Sequence, residues 1–146
     1  MRMEHIAAIT RLRAEVPEAF GRPATAKEIA EAEERLGVKI SDSYHDFLAE
    51  FGSGGVGKAM ILGLSEAQFV YTPSIIEVSS RFRKELPEYD RMVVIGMDGS
   101  GNPVGFLPDN PCIFTHDHDF GGRYDLATDF DDYLEKALSG RLAAAF

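Results

Sequence analysis

Cysteine, basic residues and long apolar runs are all scarce in this chain, and each shortage narrows what it can be. The single cysteine, Cys112, has no internal disulfide partner and cannot build a thiolate zinc cage alone. A reducing compartment, the cytoplasm, is therefore the expected location. No stretch approaches the roughly 18 apolar residues of a membrane span. The first eight residues carry Arg2, Glu4 and His5, so no apolar core of secretory-signal length is expected there. Lys and Arg number 15 against 24 Asp and Glu, a formal net charge of −9. That balance speaks against neutralising nucleic-acid phosphates and against docking on anionic lipid. It leaves a basic partner, or simple solubility, as the use of the charge.

The 146 residues suit one domain, and 45% of them are hydrophobic, enough for an ordinary core. The charge is unevenly placed. Residues 98–146 hold nine acids and three bases, so two thirds of the negative excess lies in the last third of the chain. Between Asp98 and Glu135 the only base is Arg123. A solvated acidic face and an electrostatic landing site both fit this pattern.

Apolar spacing and turn chemistry outline the elements. Ile6, Ile9, Leu12 and Val16 predict a helix over Met3–Glu15, broken by Pro17 and by Gly21-Arg22-Pro23. Thr25 and Glu28 form a capping-box pattern ahead of Ile29, Ala32 and Leu36, with Gly37 as the stop. Tyr44, Phe47, Leu48 and Phe51 mark a third helix, capped by Ser41 or Asp42 and ended by Gly52. Ser53-Gly54-Gly55 reads as a flexible turn and Lys58–Leu64 as a strand. Thr72-Pro73 is expected in the first turn of a helix that continues through Ile75, Val78, Phe82 and Leu86 to Pro87. Three short strands then follow at Met92–Ile95, Val104–Leu107 and Cys112–Phe114, separated by Asp98–Asn102 and Pro108–Pro111. After the Gly121-Gly122 turn, Arg123–Leu126 reads as a last strand. Phe130, Tyr133, Leu134, Ala137 and Leu138 then mark a closing helix, with Asp131 and Asp132 in its first turn. The predicted class is α+β: N-terminal helices, one antiparallel meander with an interrupting helix, and a C-terminal helix, in a single domain over residues 1–146.

Four segments in this order resemble the SUKH superfamily, in its SMI/KNR-like branch. They are Ile29–Gly37, Ile40–Gly52, Val94–Asn102 and Leu126–Leu134, and the resemblance spans roughly Thr25 to Leu138. One departure is Ser41, which stands where the family usually has proline. The resemblance implies binding and no catalysis, and it brings no catalytic residues and no cofactor. It implies that bacterial members act as immunity proteins against a cognate toxin domain, often a nuclease. Fungal members regulate cell-wall synthesis through protein contacts.

Several clusters carry potential chemistry. His116 and His118, on a strand, would share one face and could offer two imidazoles to zinc, although no third ligand is close in sequence. Asp98-Gly-Ser-Gly-Asn102 begins like a calcium loop, but Pro103 and Asp109 occupy the sixth and twelfth positions. Gly52–Gly57 lacks the Lys-Ser/Thr ending of a phosphate loop. Cys112, beside Ile113 and Phe114, is expected to pack as a small apolar residue. The resulting expectation is a non-catalytic immunity protein, steered by charge to a basic toxin domain. Asp98, Asp109, Asp117 and Asp119 are named as contacts because inter-strand turns are exposed and are expected to place this charge at one end of the sheet. A regulatory or scaffold module for an endogenous protein is the alternative.

Overall fold

Side-chain oxygens set the helix starts. Thr25, Ser41, Ser74 and Asp129 each accept a hydrogen bond from the backbone N–H three residues on. At Thr25 the box is complete, because Thr25 N–H also donates to Glu28 Oε1 at 3.1 Å. In the computed structural model, which describes residues 1–65, 73–142 and 146, these caps open four of the helices. The order is α1 (Met3–Glu15), α2 (Ala26–Leu36), α3 (Asp42–Glu50), β1 (Gly54–Val56), β2 (Ala59–Ile61), α4 (Ile75–Glu85), β3 (Val93–Met97), β4 (Pro103–Leu107), β5 (Asn110–His116), β6 (Arg123–Ala127) and α5 (Phe130–Leu138). The α+β class is as expected, with helices first, antiparallel strands next and a closing helix.

Three local expectations need correction. Pro73 precedes the Ser74 cap, so it lies before α4 and not in its first turn; Thr72 lies outside the described residues. Gly54 and Gly55 are strand, not loose turn, and Lys58 sits in the tight connection to β2. The reason is close packing: a Cβ on Gly54 would lie 2.2 Å from the Phe20 ring. Finally, the described strands form two antiparallel sheets, β1-β2 and β3-β4-β5-β6, where one was expected. Just past β2, Leu62 N–H donates to Ile95 O of the edge strand β3 at 2.8 Å.

That bond belongs to a chain that begins in α3. Tyr44 is fully buried and its hydroxyl donates to Leu62 O at 2.6 Å. Its ring packs 5.0 Å from Phe130 of α5 and 6.4 Å from Phe106 of β4. One side chain thus ties two helices to both sheets. Burial pushes the phenol well above its usual range, so it remains a neutral donor.

Helix α1 has no side-chain cap. Instead the start of the chain is held by carboxylates of α3 and α5. The Met1 ammonium lies 2.7 Å from Asp46, and Arg2 N–H donates to Asp131 at 3.4 Å. His5, only 2% exposed, donates through Nε2 to Glu135 Oε2 at 2.7 Å. At the other end of α2, Arg83 bonds Leu36 O and Arg91 bonds Gly37 O, supplying donors to carbonyls the helix leaves unpaired.

Two outcomes follow. Tyr44→Phe should destabilise the fold by about 1–3 kcal/mol in urea denaturation, because a buried acceptor loses its bond while the packing survives. A change inside error would remove Tyr44 from its central place. The His5 bond holds the Glu135 carboxyl below its ordinary value. A depressed folded-state pKa adds stability above the ordinary carboxylate value of about 4.3. That contribution fades as pH falls through the folded value. Glu135→Gln should therefore flatten the loss of stability below about pH 4.3, and an unchanged acid limb would contradict the assignment.

Candidate functional site

A meander sends alternate turns to opposite ends of its sheet. The β3–β4 and β5–β6 connections share one end, and the β4–β5 turn with Asp109 lies at the other. The structure therefore brings Asp98, Asp117 and Asp119 to one end of the sheet and leaves Asp109 at the far end. At the shared end the two connections are bonded to each other. Asn102 Oδ1 accepts the His118 N–H at 3.0 Å and also lies against His118 Nδ1.

Asp98 is at this end but faces inward. It is 9% exposed. One carboxylate oxygen accepts the N–H groups of Ser100 and Asn102, each at 2.9 Å, and the other accepts Asn102 Nδ2 at 2.9 Å. Its charge organises the turn, and Asn102 relays that order to His118.

The β5–β6 connection is built to present its tip. Asp117 Oδ1 accepts the N–H groups of Asp119 at 2.9 Å and Phe120 at 3.1 Å, and Asp117 N–H donates to Gly122 O. Gly121 and Gly122 reverse the chain with φ values of 74° and 95°, a region that side-chain-bearing residues avoid. Phe120 is left 88% exposed at the tip, and Tyr124 on β6 is 52% exposed. Asp119 and Asp125 are exposed on either side of them. Arg123 donates to Asp125 Oδ1 at 2.9 Å and lies 4.0 Å over the Phe114 ring. That pairing holds the Asp125 carboxyl below its ordinary value. A shallow groove of about 300 Å³ flanks the tip, lined by Phe82, Leu86, Gly101, Pro103 and His118 with Arg81 and Glu85.

Phe120 and Tyr124 were not singled out in the sequence. The available signal was an aromatic residue between Asp119 and Gly121, in turn chemistry where no strand alternation calls for one.

The two histidines do not share a strand face. His116 ends β5, and its Nδ1 lies 3.4 Å from the Tyr89 hydroxyl, whereas His118 lies beyond the strand and is bound to Asn102. The shared face needed a strand through both positions. Among the described residues, no group of three or more His, Cys, Asp or Glu side chains could hold a metal ion. Cys112 is half-buried, and burial raises its thiol above the ordinary value, which keeps it protonated. No described helix is long and apolar enough to cross a membrane.

Compared with known families, residues 23–136 match the model of the SMI1 / KNR4 family (SUKH-1). No curated protein matches the chain.

The geometry makes Asn102 the joint between the two turns. Asn102→Ala should cost about 1–3 kcal/mol, since His118 N–H and the Asp98 carboxylate both lose a partner. It should also raise backbone mobility at residues 117–122 in ¹⁵N relaxation. Unchanged relaxation there would mean the tip is ordered without its neighbour.

Proposed function

This chain belongs to the SMI1 / KNR4 family (SUKH-1), and from that premise we propose that it acts by binding another protein, as an immunity protein that neutralises a basic toxin domain. The observation that carries the reading is Phe120, a large apolar side chain 88% exposed on a tip whose backbone is bonded to the Asp117 carboxylate, next in the chain to the exposed Asp119. Exposing an aromatic ring in this way stabilises nothing in the free protein. Buried in a partner's pocket, the same ring is the kind of rigid anchor that dominates interface energy. Tyr124 continues the apolar contact along β6, and the groove beside His118 receives a partner side chain.

Charge then sets rate and selectivity. The net charge of −9 draws a basic surface from a distance. Asp117 and Asp119 meet that surface directly, Asp98 holds the neighbouring turn in place, and Asp109 adds to the long-range field from the far end of the sheet. Occlusion of the toxin's active surface requires no chemistry from this chain. A pinned loop also loses little conformational freedom on binding, which favours affinity.

Affinity capture from cells carrying the neighbouring genes, followed by kinetics on the purified pair, tests this. Phe120→Ala should weaken binding by about 30-fold or more, the effect of a 2 kcal/mol anchor, with urea stability unchanged. Asp117→Asn with Asp119→Asn should slow association and flatten its salt dependence. A captured partner that is an endogenous regulatory protein would replace the immunity reading with a scaffold role. Equal affinity of wild type and Phe120→Ala would remove the tip from the interface.

A further inference from the structure

A second surface carries the opposite charge. On a different face of α4 from the groove beside His118, a groove of about 590 Å³ runs between α2 and α4. Its size falls in the range of small-molecule sites. Leu36 and Ile76 give it an apolar floor, Ser74 and Ser80 add hydroxyls, and Arg35, Arg83 and Lys84 gather at one end. Glu77 lies at the other end, in the first turn of α4.

Nine of the fifteen cations have no carboxylate within 4.0 Å among the described residues, and three of the nine, Arg35, Arg83 and Lys84, line this one groove. Arg13, Arg22, Arg81, Arg123, Lys136 and Arg141 each lie within 4.0 Å of a carboxylate. Among the described residues no carboxylate approaches Arg35, Arg83 or Lys84 that closely. Arg83 is fixed by two backbone carbonyls, Met92 O and Leu36 O, both at 3.0 Å. Its Nη2 is buried and has no hydrogen-bond partner among the described residues. Burial, and then the neighbouring Arg91, pull this guanidinium below its ordinary value, and Asp90 opposes them in part. On a chain of net charge −9, three cations lining one groove are not explained by solubility.

We propose that this groove binds a small phosphate monoester, with Arg35 and Lys84 bonding the phosphate, Arg83 adding fixed positive charge beside it, and Ser74 and Glu77 meeting a hydroxyl of the same ligand. Planar guanidinium donors and a mobile ammonium together suit the several acceptor oxygens of a phosphate. Glu77 repels a second anionic group and accepts from a hydroxyl, so a hydroxyl-bearing monoester fits better than a bare polyanion. The inference is independent of the toxin-binding reading, because it uses none of the residues at the β5–β6 tip.

The test is titration of the full chain with inorganic phosphate and with glycerol 3-phosphate at fixed ionic strength, following backbone amides by NMR. Saturable shifts should centre on Arg35, Leu36 and Ser80–Lys84, and glycerol 3-phosphate should bind more tightly than phosphate. Arg35→Gln and Lys84→Gln, both at exposed positions, should each weaken binding about tenfold or more without changing the melting temperature. Glu77→Gln should shrink the preference for glycerol 3-phosphate. Three results would overturn the proposal. They are no saturable shift up to about 10 mM ligand, shifts centred elsewhere, or a phosphoserine peptide that binds at least tenfold more tightly than glycerol 3-phosphate.

Discussion

The fold depends on where one hydroxyl goes. Tyr44 is sealed from water, so its O–H must find an acceptor inside the protein, and the acceptor is the Leu62 carbonyl. The same residue donates its N–H to Ile95, which fixes the small β1-β2 hairpin against the edge of the four-stranded sheet. Phe130 and Phe106 then close on the Tyr44 ring from α5 and β4. A shift of α3 would break the hydrogen bond and the aromatic packing together. The alternative arrangements are therefore expensive, and the sheet is held as a platform with its turns at defined ends.

On that platform the charges are sorted by place. The end that carries β3–β4 and β5–β6 presents the exposed Asp119 beside an exposed aromatic tip, while the α2–α4 groove is lined by Arg35, Arg83 and Lys84 together with Glu77. Order at the acidic end comes from carboxylate-to-amide bonds in both turns and from Asn102 between them. The aspartates thus fall into two kinds. Asp98 consumes its acceptors on its own turn, whereas Asp119 stays exposed, with its Oδ1 3.4 Å from His118 Nε2. The first kind shapes a surface and the second kind charges it.

The helices were legible in the sequence because their signals are local. Thr25 with Glu28, Ser41, and Asp129 each act within one turn, and the spacing of Tyr44, Phe47, Leu48 and Phe51 follows from helix geometry alone. The β1-β2 hairpin was hidden because the reason for Gly54 lies far off in the chain, in the approach of the Phe20 ring. Pro73 read as a helix start, while the Ser74 cap decided the matter one residue later. At the site, exposure was assigned to Asp98 from turn chemistry, but only the three-dimensional turn shows its oxygens filled by Ser100 and Asn102. The separation of Asp109 from the other aspartates follows from meander topology, and Phe120 emerges only when exposure is measured.

The central claim is that a pre-ordered β5–β6 tip is the surface this domain uses to hold its protein partner. Amide hydrogen exchange of the chain, free and in complex with its captured partner, tests it most directly. The account predicts slow exchange of the Asp119 and Phe120 amides already in the free protein, because both are bonded to Asp117. On binding, added protection should spread over residues 117–126, with the α2–α4 groove unchanged. Fast exchange at the free tip, or protection confined to the helical face, would contradict it.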